Sequence, residues 1–228
     1  METELSTEVG RRQVAGSLEL AVVDYGMGNL MSVVQAFRRL GCAAKVAING
    51  RALRDADAII LPGVGGFGDA IKALRSRGLV EPLSEAVLEK RTTFLGICLG
   101  MQLIAERSAE HGNHRGLGWI DATVEYLPTS VGRCPHVGWT HVSFDETNPL
   151  FHNIEPAAAY YFDHSLHFVV REDIDAATFS YGSQFVAAIS RNNIHATQFH
   201  PEKSERAGLR VLRNFLNICL DRREAACG

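Results

Sequence analysis

Short hydrophobic runs alternate with amphipathic stretches of helical period through the first half of the chain. Continuous apolar runs between helices are typical of parallel strands that are covered on both faces of a sheet. The pattern predicts strands over residues 18–23, 44–48, 58–61 and 92–97, and helices over 30–40, 69–77, 80–90 and 99–105. We therefore expect an α/β fold in which helices flank a mostly parallel central sheet, with functional groups at the carboxyl ends of its strands.

The second half of the chain has a different pattern, in which alternating apolar and polar segments are separated by short turns. Such alternation is typical of half-buried strands, and short turns favour antiparallel neighbours. The predicted strands cover residues 120–126, 137–144, 159–163, 167–170, 178–181, 185–191 and 194–199. We expect an antiparallel, β-rich second half, closed by an amphipathic helix over residues 207–220.

The length of 228 residues favours a single domain. Residues 1–17 are polar and lack an apolar segment, so we expect a disordered tail rather than a secretory signal. The predicted domain covers residues 18–221, and residues 222–228 form a loose C-terminal end.

Charge, hydrophobicity and cysteine spacing together argue against nucleic acid, membranes and metals as binding partners. The net charge is −3, from 23 basic and 26 acidic residues without a long basic run, which argues against nucleic acid. No apolar stretch approaches the roughly 18–20 residues of a membrane-spanning helix, so we expect no membrane association. The cysteines are scattered without metal-ligand spacing, which favours a reducing cytoplasm and no metal or other cofactor. They are Cys42, Cys98, Cys134, Cys219 and Cys227.

A cysteine flanked by glycines stands where an apolar run meets a helical pattern, at residues 96–100 (GICLG). This arrangement is built like the Gly-x-Ser-x-Gly nucleophile elbow, with sulfur in place of oxygen. The sharp turn holds Cys98 above the sheet, and the helix that begins there favours its thiolate. The alternative is a buried, inert cysteine, since free cysteines are often buried.

A second candidate group lies where a predicted strand ends in a turn, at His200, Pro201 and Glu202. A cysteine nucleophile needs a base, and the base needs an acid that fixes its tautomer. His200 and Glu202 are two residues apart across a proline-stiffened turn, so their side chains can converge. The alternative is a surface histidine beside a solvated glutamate.

A glycine-rich loop, residues 62–66 (PGVGG), directly follows the predicted strand 58–61. Its backbone N–H groups at Val64 or Gly65, together with that of Leu99, would form an oxyanion hole for acyl transfer. An ordinary strand-to-helix loop is the alternative. A phosphate-binding loop is disfavoured because no Gly-Lys-Ser/Thr follows.

Five segments occur in a fixed order: residues 24–30 (DYGMGNL), 62–65 (PGVG), 96–102 (GICLGMQ), 135–139 (PHVGW) and 200–204 (HPEKS). Together they resemble the class I glutamine amidotransferases, which release ammonia from L-glutamine with a Cys-His-Glu triad. Within that family the series is similar to the glutaminase subunits that pair with the cyclase subunit of imidazole glycerol phosphate synthase. The resemblance runs from about residue 18 to residue 220.

The resemblance implies a catalytic triad of Cys98, His200 and Glu202 in this sequence. It also implies that Gly63 and Gln102 help to bind glutamine. Gln102 lies one helical turn beyond Cys98, on the same face of the predicted helix. A buried or capping amide is the alternative for Gln102.

Further residues are implied to lie at the cyclase interface or the ammonia exit. Pro135, His136 and Trp139 belong to the loop that docks on the cyclase, and an exposed aromatic anchor suits such a surface. The alternative is that His136 and Trp139 anchor a turn in the core. The other implied residues are Asn29, Tyr161 and Lys203. A core aromatic is the alternative for Tyr161, and a helix cap for Asn29.

Three residues depart from the family's pattern in the region expected to face the partner: Thr140, Asp163 and Leu166. The proposed triad is intact, so these departures concern the partner rather than the glutaminase reaction. They leave open a cyclase-like partner that amidates sugars of surface polysaccharides. A non-catalytic regulatory subunit is a further alternative, but it predicts a lost nucleophile or base.

Overall fold

The structure, a computed structural model, describes residues 18–156 and 158–227. The strands are β1 (Leu20–Val23), β2 (Ala44–Ala47), β3 (Ala58–Gly63), β4 (Thr93–Cys98), β5 (Arg107–Ser108), β6 (His114–Arg115), β7 (Ala122–Tyr126), β8 (His136–Ser143), β9 (Ala159–His164), β10 (Leu166–Val170), β11 (Asp175–Ser180), β12 (Gln184–Arg191) and β13 (Ile194–Thr197). The helices are α1 (Leu30–Arg39), α2 (Gly50–Arg54), α3 (Phe67–Ser76), α4 (Val80–Ser84), α5 (Leu99–Leu103) and α6 (Glu205–Cys227).

Within these ranges the main sheet has nine strands, in the order β2-β1-β3-β4-β13-β12-β11-β8-β9. The strands from β2 to β13 run parallel, and the remaining neighbours are antiparallel. The C-terminal strand β13 therefore lies at the centre of the sheet, between β4 and β12. A smaller sheet has the order β10-β7-β5-β6.

The main sheet separates two hydrophobic cores. On one face, α1 and α6 pack through buried residues such as Phe37 and Phe215, whose rings are 6.4 Å apart. On the other face, α3, α4 and α5 contribute Phe67, Leu83 and Met101. Burying each such side chain stabilises the fold by about 1.5–3 kcal/mol, so covering both faces of the parallel strands supplies most of the driving force.

The predicted α/β class and the change from parallel to antiparallel strands are confirmed. The predicted helix 80–90 is instead α4 followed by a π-helical turn at Glu85–Glu89. Helix α2 and the two-residue strands β5 and β6 were not predicted, because such short elements carry no readable periodicity.

Helix α6 extends beyond the predicted end at residue 220 to Cys227, through residues that we expected to be loose. The predicted tail, 1–17, lies outside the described residues. None of the helices in the described ranges is both long and apolar enough to cross a membrane.

Candidate active site

Adjacent parallel strands bring three chain segments to one point. The carboxyl end of β4 lies between those of β3 and β13, with Gly63 paired to Cys98 and Thr197 paired to Ile97. The glycine-rich loop follows β3, and His200 follows β13 three residues after Thr197. The site therefore forms at the carboxyl edge of the sheet, as expected for an α/β fold.

Cys98 occupies a strained turn between β4 and α5. Its backbone has φ 54° and ψ −107°, which is unusual for a residue other than glycine and costs of the order of 1–3 kcal/mol. The flanking glycines allow close packing: a Cβ on Gly100 would lie 1.7 Å from the carbonyl oxygen of Leu61, and one on Gly96 would lie 2.8 Å from that of Gly100. The geometry is that of a nucleophile elbow.

His200 joins Cys98 to Glu202. Its Nδ1 is 2.8 Å from Glu202 Oε1, and the two side chains are 3% and 2% exposed. Burial alone lowers the pKa of His200, but hydrogen bonds to Cys98 and Glu202 and the negative charges of both groups outweigh it and raise the pKa to about 10. The raised pKa keeps His200 protonated beside the Cys98 sulfur, which is the placement of base and sulfur that a cysteine nucleophile needs.

The turn that holds His200 is fixed by hydrogen bonds to β9 and to the following residues. The His200 N–H donates to the carbonyl of Tyr161 (2.9 Å), and the Ser204 hydroxyl donates to the carbonyl of His200 (2.6 Å). The Ser204 hydroxyl also accepts the N–H of Tyr161 (2.9 Å). These bonds set the base in place before any ligand binds.

A cavity of about 260 Å³ opens beside the thiol. Cys98 and His200 line it, together with the predicted oxyanion residues Val64, Gly65 and Leu99. Gln102, predicted to bind glutamine, also lines it. Gly63 lies one residue before this lining, in β3, where a Cβ would lie 2.3 Å from the hydroxyl of Tyr25.

Gln102 and Gln198 form a buried amide pair behind the cavity. Gln102 Nε2 donates to Gln198 Oε1 (3.0 Å) and to the carbonyl of Leu166 (3.3 Å). Gln198 Nε2 in turn lies 3.7 Å from Cys98 Sγ. Gln102 is thus a buried amide as well as a cavity residue. Sequence reasoning assigned no role to Gln198, whose contact with the thiol depends on β13 lying beside β4.

Two further residues at the site were missed. Glu110 lines the cavity, and its carboxylate accepts the N–H of Phe67 at the start of α3. Tyr25 is buried, and its hydroxyl has no hydrogen-bond partner among the residues that the structure describes. Burial, and to a smaller extent the charge of Cys98, raises the pKa of Tyr25. Tyr25 belongs to the 24–30 segment, but that segment gave no role to its side chain, and no motif marks Glu110.

The predicted interface residues divide into a surface group and an inward one. Trp139 is 51% exposed and lies 6.1 Å from the ring of Tyr161, over which Lys203 Nζ sits at 5.6 Å. The core-anchor alternative is therefore wrong for Trp139. For His136 the expected place at the interface is wrong and the core-anchor alternative holds. Its side chain is only 3% exposed and points into the protein.

The remaining two residues of the predicted interface group are on the surface. Pro135 is exposed and also lines the cavity, next to the strand that carries Trp139. Asn29 is exposed as well, and its Oδ1 accepts the N–H of Ser32 at the start of α1 (3.4 Å). The helix-cap alternative for Asn29 is therefore observed.

Within residues 18–156 and 158–227, no group of three or more His, Cys, Asp or Glu side chains is arranged to hold a metal ion.

Comparisons with known proteins identify the family of this chain. The family profile described as glutamine amidotransferase class-I matches residues 21–219. A Campylobacter jejuni protein named imidazole glycerol phosphate synthase subunit HisH 1 is 40% identical over 200 residues, covering 87% of this chain and 100% of the relative. The HisH subunit of Syntrophotalea carbinolica is 43% identical over 204 residues, covering 86% and 98%.

Solved structures share the fold. The PurLQS structure from Thermotoga maritima contains a chain with a TM-score of 0.70 at 20% identity, covering 88% of this chain and 98% of that one. Because the identity is low, this likeness bears on the fold alone. The family profile and the relatives, which match nearly the whole chain, go further: this chain belongs to the class-I glutamine amidotransferase family.

Proposed function

We propose that this chain is the glutaminase subunit of an imidazole glycerol phosphate synthase, and that it supplies ammonia for histidine biosynthesis. The observation that carries the proposal is His200, which joins Cys98 to Glu202 beside a cavity lined by the glycine-rich loop. Relatives with about 40% identity over nearly their whole length carry that enzyme's name. The substrate of the proposed reaction is L-glutamine.

The reaction follows from the placement of these groups. The Cys98 thiolate attacks the side-chain amide carbon of glutamine, and the oxyanion is held by N–H groups of Leu99 and of Val64 or Gly65. When the C–N bond breaks, His200 gives its proton to the nitrogen, which leaves as ammonia. His200 then takes a proton from water, which cleaves the γ-glutamyl thioester and releases glutamate. Glu202 holds His200 in the required orientation.

Two residues favour glutamine within the cavity. The Gln102 amide stands on the helix face beside Cys98, where it suits the amide of the substrate. The Glu110 carboxylate supplies a negative charge suited to the ammonium group of an amino acid. Gly63 contributes through its lack of a side chain, which lets Leu99 and Tyr25 approach the loop.

The partner is a cyclase subunit, in keeping with the word "subunit" in the relatives' names. On this chain, the surface that docks on the cyclase contains Trp139, Tyr161 and Lys203, together with Pro135 and Asn29. Tyr161 lies between Trp139 and His200, with its ring 6.4 Å from that of His200, so this surface adjoins the triad. Ammonia released at Cys98 has a short route to it.

The alternative partner, a cyclase-like enzyme that amidates sugars, rested on Thr140, Asp163 and Leu166. Leu166 is buried, and the Thr140 hydroxyl is bonded to the buried His136. Asp163 is exposed. Since two of the three departures face inward, they give little reason to invoke a different partner surface.

The proposal also places the reaction in the cytoplasm. Cys42, Cys98, Cys134 and Cys219 are free thiols among the described residues. A nucleophilic thiol in a chain with other free cysteines is best preserved in a reducing compartment.

The first experiment measures glutamate release from glutamine by the full chain, alone and mixed with a histidine-pathway cyclase subunit, with and without the cyclase's nucleotide substrate. Strong release in the complete mixture supports the proposal. No release there, with a cyclase that is active on free ammonia, would contradict the proposed partnership.

In the same complex, Cys98→Ala should abolish glutamine-dependent synthesis and leave ammonia-dependent synthesis intact. Cys42→Ala is the matched control, because it also removes a buried thiol but lies away from the cavity. Loss of the ammonia-dependent reaction in Cys98→Ala alone would show that the assigned role is wrong.

The docking surface is tested with Trp139→Ala. We expect the Kd for the cyclase to rise by about 30-fold, as for an aromatic interface anchor, with no change in thermal stability. Leu88→Ala is the control, since Leu88 is similarly exposed on the π-helical turn. Equal losses of binding in both variants would argue against this surface.

A further inference from the structure

A line of hydrogen bonds connects strand β8, which carries Trp139, to the cavity. Thr140 Oγ1 is 2.9 Å from His136 Nε2, and His136 Nδ1 is 3.0 Å from His164 Nε2. His164 Nδ1 lies 2.7 Å from the carbonyl oxygen of Leu166. None of these contacts belongs to the Cys98, His200 and Glu202 machinery.

When both histidines are neutral, the donor and the acceptor of each hydrogen bond along this line are determined. A carbonyl oxygen only accepts, so His164 carries its proton on Nδ1 and its Nε2 is a bare acceptor. His136 must then donate from Nδ1, which leaves its own Nε2 as an acceptor. The Thr140 hydroxyl supplies the donor for that nitrogen.

The surroundings keep both histidines neutral. Burial lowers the pKa of His136, whose ring stacks against those of Phe179 and Tyr181 at centroid distances of 5.2 and 4.2 Å. Burial likewise lowers the pKa of His164 to about 4, with further lowering by neighbouring histidines and only partial compensation by the Leu166 carbonyl.

The line ends at the carbonyl of Leu166, which is also bonded to Gln102, a residue of the proposed glutamine site. The Leu166 carbonyl accepts from His164 and also from Gln102 Nε2 at 3.3 Å. Gln102 bonds in turn to Gln198, whose amide lies 3.7 Å from Cys98 Sγ. A change at Thr140 therefore reaches the cavity through groups in direct contact.

We infer that Thr140, His136 and His164 are positioning residues, which hold the Leu166 carbonyl and through it Gln102 for glutamine binding. Their role rests on the proposed glutaminase function. It gives a purpose to Thr140, one of the residues that depart from the family's pattern: its hydroxyl donates to the bare Nε2 of His136 and satisfies that buried acceptor.

The tautomers are measured in the full chain labelled with ¹⁵N-histidine, by two-bond nitrogen–proton correlations at neutral pH. His136→Phe and His164→Asn samples assign the signals among the 9 histidines. We expect both rings to carry the proton on Nδ1 with a bare Nε2. A proton on Nε2 of either neutral ring, or a charged ring at neutral pH, would overturn the inference.

The functional arm uses Thr140→Val, which removes the hydroxyl and keeps the shape, in the complex with the cyclase. We expect kcat/KM for glutamine to fall about 5-fold, mainly through KM, as for one lost hydrogen bond. Thr140→Ser should restore the wild-type value.

Thr178→Val is the matched control, because Thr178 is also a half-buried strand residue with one side-chain hydrogen bond, to Gln184 at 3.0 Å. Thr140→Val kinetics that equal those of Thr178→Val would overturn the inference, as would a Thr140→Ser variant that stays impaired. A wild-type complex that releases no glutamate marks failure of the proposed function instead, and the tautomer measurement still decides the arrangement of the line.

Discussion

Two buried hydrogen-bonded pairs that contain histidine lie close together in this protein, and their histidines differ in charge. In the first, His200 is 2.8 Å from Glu202 and its pKa is raised to about 10 by the thiol and the carboxylate. In the second, His164 is 3.0 Å from His136 and its pKa is lowered to about 4, chiefly by burial. His200 is therefore charged at neutral pH, and His164 is neutral.

The difference shows that the neighbouring side chains, rather than burial, decide the charge of these two buried histidines. Burial lowers the pKa of His200 as it does that of His164. Only His200 has acidic groups that reverse the effect. The protein can therefore keep one imidazole as a proton donor beside a thiol and another as a fixed hydrogen-bonding group a short distance away.

The largest expected effect follows from removing the charge of the first pair. Glu202→Gln keeps the shape but takes away the carboxylate that holds His200 in its charged form and correct tautomer. We expect kcat for glutamine hydrolysis in the cyclase complex to fall by about 10³–10⁴-fold, the scale seen when a triad acid is replaced by its amide.

Ammonia-dependent synthesis by the same Glu202→Gln complex is the control and should be unchanged. A loss of less than about 10-fold in glutamine hydrolysis would mean that the carboxylate is not needed for the reactive state of His200.

The next effect concerns acid stability and the second pair. The pKa of His164 is about 4 in the folded protein and about 6.5 in an unfolded chain. Between these values the unfolded state binds more protons, so His164 contributes stability above pH 6.5 that is lost as pH falls toward 4. The loss is of the order of 3 kcal/mol.

The measurement is urea unfolding of wild type and of His164→Asn between pH 7 and pH 4. The stability difference between the two proteins should shrink as the pH falls. A difference that stays constant over this range would show that His164 is not held neutral by the fold.

The smallest effect involves a third buried ionisable group, Tyr25, whose hydroxyl has no partner among the described residues. Removing an unsatisfied buried hydroxyl relieves its desolvation cost, so Tyr25→Phe should raise the free energy of unfolding by about 1 kcal/mol. Chemical denaturation measures this value. A lower free energy of unfolding in Tyr25→Phe would reveal that the hydroxyl is hydrogen-bonded in solution. Tyr25 would then have a polar partner, as the two buried histidines do.

The fold was predictable where the chain carries continuous apolar runs. Strands β1, β3 and β4 are buried along their whole length, so each stands out from the helices beside it. The exceptions were elements of two to five residues, β5, β6 and α2, which are too short for a period to repeat.

The meeting of Cys98, His200 and Glu202 was predictable because each group sits in a local motif at the end of a strand. Gln198 and Glu110 were missed because their contacts join segments far apart in the chain: Gln198 to Cys98, and Glu110 to Phe67. Long-range packing of this kind leaves no mark on the local pattern.

The exposure of the 135–139 segment was harder to predict. Strand β8 has one face toward solvent and one toward the core, and its pairing with β9 decides which side chains lie on each face. His136 and Trp139, which share one motif, fall on opposite faces. A one-residue change of register would exchange such positions, and the sequence alone does not fix it.

The position of β13 at the centre of the sheet has a consequence for biosynthesis. During translation Cys98 leaves the ribosome long before the segment that carries His200, so a nascent chain has the proposed nucleophile without its proposed base. Such a chain also has open edges on β4 and β12, where β13 will insert. On the proposed function, an incomplete polypeptide that lacks β13 also lacks the residues that would let Cys98 hydrolyse glutamine, because the strand that fills the centre of the sheet leads directly into His200.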